Sequence, residues 1–322
     1  MFIAILLPMA FGFSIFMSGM KLMELALHRL AGSHLQRALH TFTSTPLHGL
    51  VTGIAASAFL QSSTAVTVIT IGLVNAGLLS FPRTLGIVLG TNIGTCLTTE
   101  LIGLHLTKLA MPILYVSLAM WLITAVFDEM NLLPGLQKRG WLPKLRASAL
   151  AAGGFGLLLA GLAVMQSIGP AIQQSPLFRW FLAHASDNLW WGLLAGAVLT
   201  AAVHSSTAVI GLVMGFAMLG SMSIDIGTAI VLGANIGTCV TALLASIGGS
   251  KAGRFVALSH IVLNAGGALM FMPLVSLLAS AAGIAASSPA SQIAHAQTLF
   301  NIVCSLLALP LCYVPYMKKL GR

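Results

Sequence analysis

The sequence predicts an all-α polytopic membrane protein built as two inverted repeats, each containing a re-entrant, broken helical hairpin. Three observations carry that expectation. The first is composition: hydrophobic residues make up 58% of the 322 positions and charged residues 7%, with a mean hydropathy of +0.99. Globular domains carry about 25% charged residues, so a water-soluble core of this size is excluded. The second is length, because several apolar runs reach the roughly 20 residues that span a bilayer. The third is a duplication. Gln61-Ser62-Ser63-Thr64-Ala65-Val66 and Gly90-Thr91-Asn92-Ile93-Gly94-Thr95-Cys96 recur as His204-Ser205-Ser206-Thr207-Ala208-Val209 and Gly233-Ala234-Asn235-Ile236-Gly237-Thr238-Cys239, at a constant offset of 143 positions.

The elements follow in chain order. Residues 2–20 are apolar, have no basic residue before them and lack a small-residue cleavage site after them, so they are expected to be a retained first span. Lys21 to Thr45 mixes Lys21, Glu24, Arg29 and Arg37 with Leu22, Leu25, Leu30 and Leu35, a spacing that predicts an amphipathic helix at the interface. Pro46 opens an apolar segment reaching about Leu79, too long for one span and too short for two. A hairpin entering and leaving on one side fits, its polar tip tolerable only against protein or a water-filled cavity. Spans are expected at 85–103 and 110–127, then a basic linker over 128–147. The second half repeats the order: a span at 148–173, a short link with Arg179 and Asp187, a hairpin at about 189–220, and spans at 227–247, 255–282 and 292–313. The expected divisions are 1–127 and 148–282 for the two repeats, and 283–322 for the last span and a basic tail.

Charge sets the expected topology. The net charge of +9 sits in short connections, where it marks the cytoplasmic side; sparse aromatics and the lack of a basic patch argue against nucleic acid. With seven crossings and the C-terminus inside, only Lys108 and Arg179 of the 15 Lys and Arg fall outside. The N-terminus is then outside, and the two hairpins enter from opposite faces. Aligning 49–102 on 192–245 without a gap gives 23 identities in 54 positions, many on Gly, Ser, Thr and Asn. Inverted repeats with interrupted helices point to secondary transport.

The polar islands offer hydroxyl and amide groups without net charge. A broken helix adds N–H groups at one half's start, which favour an anion, and carbonyls at the other half's end, which can hold Na⁺. Ser-Ser-Thr at such a break suits a tetrahedral oxyanion. Small polar residues at helix contacts also do nothing more than let backbones approach; it is the paired duplication that favours a site. Catalysis is not expected. There is no Gly-x-Ser-x-Gly elbow, no His-Glu-x-x-His and no pair of intramembrane carboxylates, although His204 stands beside Ser205. Four cysteines (Cys96, Cys239, Cys304, Cys312) lie at membrane depth without metal spacing, so neither a transition-metal site nor a disulfide framework is expected.

The paired islands resemble the sodium-dependent phosphate cotransporter family, the type II Na/Pi group and its bacterial relatives. Met17-Ser18-Gly19-Met20-Lys21-Leu22-Met23, Ala257-Leu258-Ser259-His260-Ile261-Val262-Leu263-Asn264 and His295-Ala296-Gln297-Thr298-Leu299-Phe300-Asn301 are similar to further family segments. The resemblance implies inorganic phosphate as substrate and Na⁺ as coupling ion in a bacterial-type inner membrane. It carries Gln61, Ser62, Ser63, Thr64, Asn92, Thr95, Ser205, Ser206, Thr207, Asn235 and Thr238 over as substrate-binding positions. Gln61, Thr91, Asn92, His204 and Asn235 become ion-coupling positions, and no cofactor beyond Na⁺ is implied. Whether His260 and His295 touch substrate or brace the bundle is left open, with bracing favoured. Thr64 and Thr207 stand where the family has Ser, Ala234 stands opposite Thr91, and His204 stands where Gln is expected. Imidazole titrates near neutral pH, so proton coupling or an uncoupled anion permease of the same fold is the alternative. Many bacterial relatives carry a C-terminal phosphate-uptake-regulator-like domain, and none is expected here; a separate soluble regulator or a homo-oligomer is an open expectation.

Overall fold

The computed structural model describes residues 2–104, 106–130 and 141–314, and no strand occurs among the described residues. The first half contains α1 (Phe2–Thr41), α2 (Pro46–Leu60), α3 (Ser63–Asn75), α4 (Phe81–Gly103) and α5 (Ala110–Glu129). After it come α6 (Trp141–Ser167), α7 (Gly169–Gln173), α8 (Pro176–Asp187), α9 (Trp190–Val203) and α10 (Ser206–Met218). The chain continues through α11 (Ile224–Gly237), α12 (Cys239–Ala245), α13 (Lys251–Phe271), α14 (Val275–Gly283) and α15 (Pro289–Ala308). Lys138, Arg139, Lys318, Lys319 and Arg322, which entered the charge count, lie outside the described residues, as does 131–140 of the linker.

Seven stretches are long and apolar enough to cross a membrane: Ile5–Ala31, Phe81–Gly103, Leu106–Glu129, Trp141–Ser167, Ile224–Ala245, Lys251–Gly283 and Pro289–Tyr313. They coincide with the seven expected crossings. Between them lie four shorter apolar helices, α2, α3, α9 and α10. At 1.5 Å per residue these reach only about 20–23 Å, short of a hydrocarbon core about 30 Å thick.

Two elements differ from expectation. α1 does not stop at Lys21 but runs 40 residues to Thr41. Lys21 pairs with Glu24 one turn on, at 3.0 Å, and strong helix formers such as Leu, Ala and Met continue past the charges, so nothing local breaks the helix. It ends where Thr45 caps α2, accepting from the His48 N–H, with Pro46 at the first turn. The expected link around Arg179 and Asp187 is instead the amphipathic helix α8. Ser175 caps it by accepting from the Phe178 N–H.

The chain forms two compact units. One comprises residues 1–32 and 105–171; the other comprises 33–104 and 172–322 and holds every predicted site residue. In the first unit α5 lies along α6, and Arg146 reaches Asp128 at 2.8 Å and the Thr124 carbonyl at 3.0 Å. In the second unit, α2 lies along α4 and α9 along α11. Glycine permits both approaches: a Cβ on Gly90 would sit 2.1 Å from the Leu50 carbonyl oxygen, and one on Gly233 would sit 1.9 Å from that of Leu193. These positions are related by the same offset of 143, so one small-residue contact is built twice.

Candidate functional site

Each polar island falls on a helix break, and the two breaks share one local geometry. α2 ends on Gln61 in the left-handed region (φ 55, ψ 28), and α9 ends on His204 in the same region (φ 57, ψ 25). These are the two non-glycine residues with positive φ among the described residues. The next residue turns extended and caps the following helix. Ser62 Oγ accepts from the Ala65 N–H and Ser205 Oγ from the Ala208 N–H, both at 3.2 Å. The sequence dictates this local form, because Ser is a strong N-cap and a left-handed residue ends a helix in a single step. The first N–H groups of α3 and α10 have no partner within their own helices. Both hairpins then finish alike, on Gly77 (φ 73) and Gly220 (φ 66).

The tips differ in burial. Ser205, Ser206 and Thr207 are buried while His204 is exposed; Gln61, Ser62 and Ser63 are half-buried and Thr64 is exposed. Gln61 is held by its side chain, whose Oε1 accepts from Thr98 on α4 and whose Nε2 donates to the Ala58 carbonyl.

The two Gly-x-Asn-Ile-Gly-Thr runs differ as well. In α4 the run is continuous helix: Thr91 donates to the Val88 carbonyl and Thr95 to the Thr91 carbonyl, each at 2.7 Å, while Ser57 of α2 donates to the Thr91 carbonyl at 3.2 Å. In the second copy α11 passes into α12 through Thr238, which keeps helical angles (φ −63, ψ −22) and donates its N–H to the Ala234 carbonyl at 3.2 Å. There Asn235 donates to the Val231 carbonyl at 2.9 Å and Thr238 to the Asn235 carbonyl at 2.6 Å. Close approach is thus common to both runs, and the backbone stays helical through both.

The tip of the first hairpin meets the α11–α12 junction of the second run. Ser63 and Thr64, with Thr67 and Val68 one turn on, face Thr238, Thr241 and Ala242, and His260 of α13 completes the wall. The crevice is narrow and closed in this conformation. Of the predicted positions it gathers Ser63, Thr64 and Thr238. Ser205, Ser206 and Thr207 lie elsewhere, on α10, which packs against α4 and α15. The second helix of the first hairpin thus packs against α12 and α13, and that of the second hairpin against α4, which carries Asn92.

Two lining residues went unnoticed as site candidates, Thr67 and Thr241. Thr67 follows Ser63 by four positions and Thr241 follows Thr238 by three, so helical periodicity alone places each on its neighbour's face. His260 is on a separate element; its motif-like segment singled it out, and the fold places it on the crevice wall.

Behind the crevice, α4 carries a ladder of polar contacts. Asn92 donates through Nδ2 to Asn264 Oδ1 at 3.2 Å, and its Oδ1 lies 3.3 Å from His260 Nε2. Thr99 donates to Gln297 Oε1 at 2.6 Å. Glu100 meets His295 Nδ1 at 2.9 Å and accepts from the Thr298 hydroxyl. The segments around His260 and His295 are thus the ones that join α13 and α15 to α4. Among the described residues no cluster of three or more His, Cys, Asp or Glu could hold a metal ion, and the four cysteines are free.

Comparison with known proteins gives the following. The sequence matches the model of the Na⁺/Pi-cotransporter family over residues 15–167 and 157–286. It is 34% identical over 301 residues to the uncharacterized protein YqeW of Bacillus subtilis, covering 94% of this chain and 92% of that protein. It is 26% identical over 295 residues to the putative inorganic phosphate export protein YjbB of Escherichia coli. That alignment covers 91% of this chain and 51% of YjbB, so the chain spans about half the length of that relative. A stretch of 61 residues, 19% of this chain and 10% of the other, is 39% identical to sodium-dependent phosphate transport protein 2A of Rattus norvegicus. No solved structure matches.

Proposed function

The chain belongs to the Na⁺/Pi-cotransporter family, and we propose that it is a secondary transporter of inorganic phosphate, coupled to Na⁺ and working by alternating access. The observation that carries this reading is the duplicated break: Gln61-Ser62 and His204-Ser205 share backbone angles and caps, and each presents a helix N-terminus at a cluster of hydroxyls. Helix N-termini attract anions, and hydroxyls donate to phosphate oxygens without a fixed charge that would hold them too tightly to release. In this reading the substrate contacts are Ser62, Ser63, Thr64, Asn92, Thr95 and Thr238, with Ser205, Ser206, Thr207 and Asn235 from the other half. In the same reading Gln61, Thr91, Asn92, Asn235 and His204 serve the coupling cation. The two halves are read as inverted repeats, and the closed crevice at Ser63 and Thr238 as one arm of a site that opens by rocking of the hairpins.

A coupled carrier runs in whichever direction its gradients favour, so uptake and export are one mechanism here. YjbB is named for export and protein 2A for sodium dependence, and both names support phosphate as the substrate. A bacterial-type inner membrane, with the N-terminus outside and the C-terminus inside, fits the charge distribution.

The test is flux of labelled phosphate into proteoliposomes holding the full chain, with and without an imposed Na⁺ gradient. Accumulation against the phosphate gradient, lost when Na⁺ is equal on both sides, is the expected result. No phosphate flux in either direction overturns the reading. A second reading, proton coupling, is favoured by one observation: His204, exposed at the second break, replaces the Gln of the first. Accumulation that follows pH and ignores Na⁺ is its signature.

A further inference from the structure

Two buried polar atoms on the crevice wall have no hydrogen-bond partner among the described residues: Thr67 Oγ1 and His260 Nδ1. Thr67 is 2% exposed and His260 is 4% exposed. An unpaired buried polar atom costs free energy, and both residues line the same narrow space.

The protonation of His260 follows from its neighbours by a chain of forced choices. Asn264 donates through Nδ2 to the His260 carbonyl at 2.9 Å; a carbonyl can only accept, so the Asn264 amide has one orientation. Its Oδ1 then faces Asn92, which must present Nδ2, at 3.2 Å. Asn92 Oδ1 is left facing His260 Nε2 at 3.3 Å, and that nitrogen must carry the hydrogen. In a neutral imidazole with a proton on Nε2, Nδ1 is a bare acceptor. The other crevice-lining side chains with polar atoms are hydroxyls of Ser63, Thr64, Thr67, Thr238 and Thr241. Hydroxyls donate to any tetrahedral oxyanion alike, so they cannot tell one such anion from another.

Resting on the phosphate reading above, we infer that His260 Nδ1 is a specificity-determining acceptor, taking a hydrogen bond from the P–OH group of protonated phosphate. Phosphate near neutral pH retains at least one hydroxyl, whereas sulfate has none. Sulfate in the same crevice would set an oxygen lone pair against the lone pair of Nδ1, and would leave a buried acceptor unpaired. A site that requires such a hydrogen bond rejects an isostere lacking the proton. Arsenate, which keeps its hydroxyl, is accepted. His260 thereby acts in two ways: through Nε2 it fixes Asn92, and through Nδ1 it reads the protonation of the anion.

Two amide replacements separate these roles. Gln places its terminal nitrogen near the position of Nε2 and can still donate to Asn92, but has no acceptor at the Nδ1 position. Asn places its oxygen near Nδ1 and loses the link to Asn92. The full chain in proteoliposomes, carrying labelled phosphate, is challenged with sulfate and with arsenate. For the wild type, arsenate competes and sulfate does not. His260→Gln lets sulfate compete at least about tenfold better relative to arsenate, and His260→Asn keeps the discrimination even if flux falls. The inference is overturned if sulfate already competes like arsenate in the wild type, if His260→Gln excludes sulfate as well as the wild type does, or if both variants lose discrimination equally. Those results leave the phosphate reading standing. That reading fails separately if the wild type moves no phosphate at all.

Discussion

Gln61 and His204 occupy the same left-handed backbone position at the two helix breaks, with φ of 55 and 57, yet the half-buried Gln61 is tied by its side chain to Thr98 while His204 is exposed. The backbone of the break is duplicated, and the chemistry at its tip is not. For a residue with a Cβ the left-handed conformation costs about 1–2 kcal/mol. Replacing His204 by Gly is therefore expected to raise stability by about 1 kcal/mol, and His204→Val to lower it by at least as much, since a β-branched residue resists positive φ. Thermal unfolding of the purified chain in detergent checks both. Equal melting temperatures for the two variants would mean that the break is not held as described.

The glycine contacts predict a sharper contrast. A Cβ at Gly90 or Gly233 would run into a carbonyl of the helix alongside, closer than atoms can approach, and that atom is backbone. Gly90→Ala and Gly233→Ala are each expected to cost more than about 3 kcal/mol and to yield little folded protein. Gly266, in α13, has open space around its Cβ position, and Gly266→Ala should be neutral or stabilise by up to about 1 kcal/mol. Size-exclusion profiles and melting curves of the three separate the outcomes; a well-folded Gly233→Ala variant would overturn the packing argument.

Which features were legible in the sequence follows from what each depends on. The breaks at Gln61 and His204 could be found because two copies of a rare polar string cannot be confused with chance Leu and Val. The seven crossings followed from run length and hydropathy alone. The continuity of α1 past Lys21 was not legible: charges were read as a boundary, but a helix ends on caps and breakers, and no proline lies between Lys21 and Pro46, where Thr45 caps the next helix. α8 was hidden for a related reason, since polar residues spaced for an amphipathic helix look like a link when only apolar length is counted. The crevice depends on contacts between α3, α12 and α13. Thr67 and Thr241 lay within reach of a helical-periodicity argument, whereas the approach of His260 depends on tertiary packing.

The caps offer a test of anion binding that keeps the fold. Ser62→Ala and Ser205→Ala remove an acceptor from the Ala65 and Ala208 N–H groups, and each should cost about 1 kcal/mol of stability. Asp caps a helix as well as Ser does and its charge favours the N-terminus, so Ser62→Asp is expected to melt like the wild type. It also puts a fixed negative charge where the anion is proposed to bind, and phosphate flux should fall at least about tenfold. Flux at the wild-type level in a folded Ser62→Asp protein would show that the start of α3 is not an anion contact.

The asymmetry between Gln61 and His204 predicts how coupling divides between the halves. If Na⁺ is held by uncharged oxygens, replacing the imidazole by an amide adds an oxygen and removes a titratable group. His204→Gln should therefore keep the Na⁺ dependence of phosphate flux and flatten its pH profile. Gln61→His loses the amide oxygen that accepts from Thr98 and should weaken Na⁺ activation while introducing a pH dependence of its own. Exchanging both residues tests whether the positions are equivalent. Restored Na⁺ activation in the double variant would mean that either break can serve the cation. Its continued loss would assign the cation to the first break, where Thr98 holds Gln61 in place. A wild-type pH profile in His204→Gln would exclude His204 from coupling.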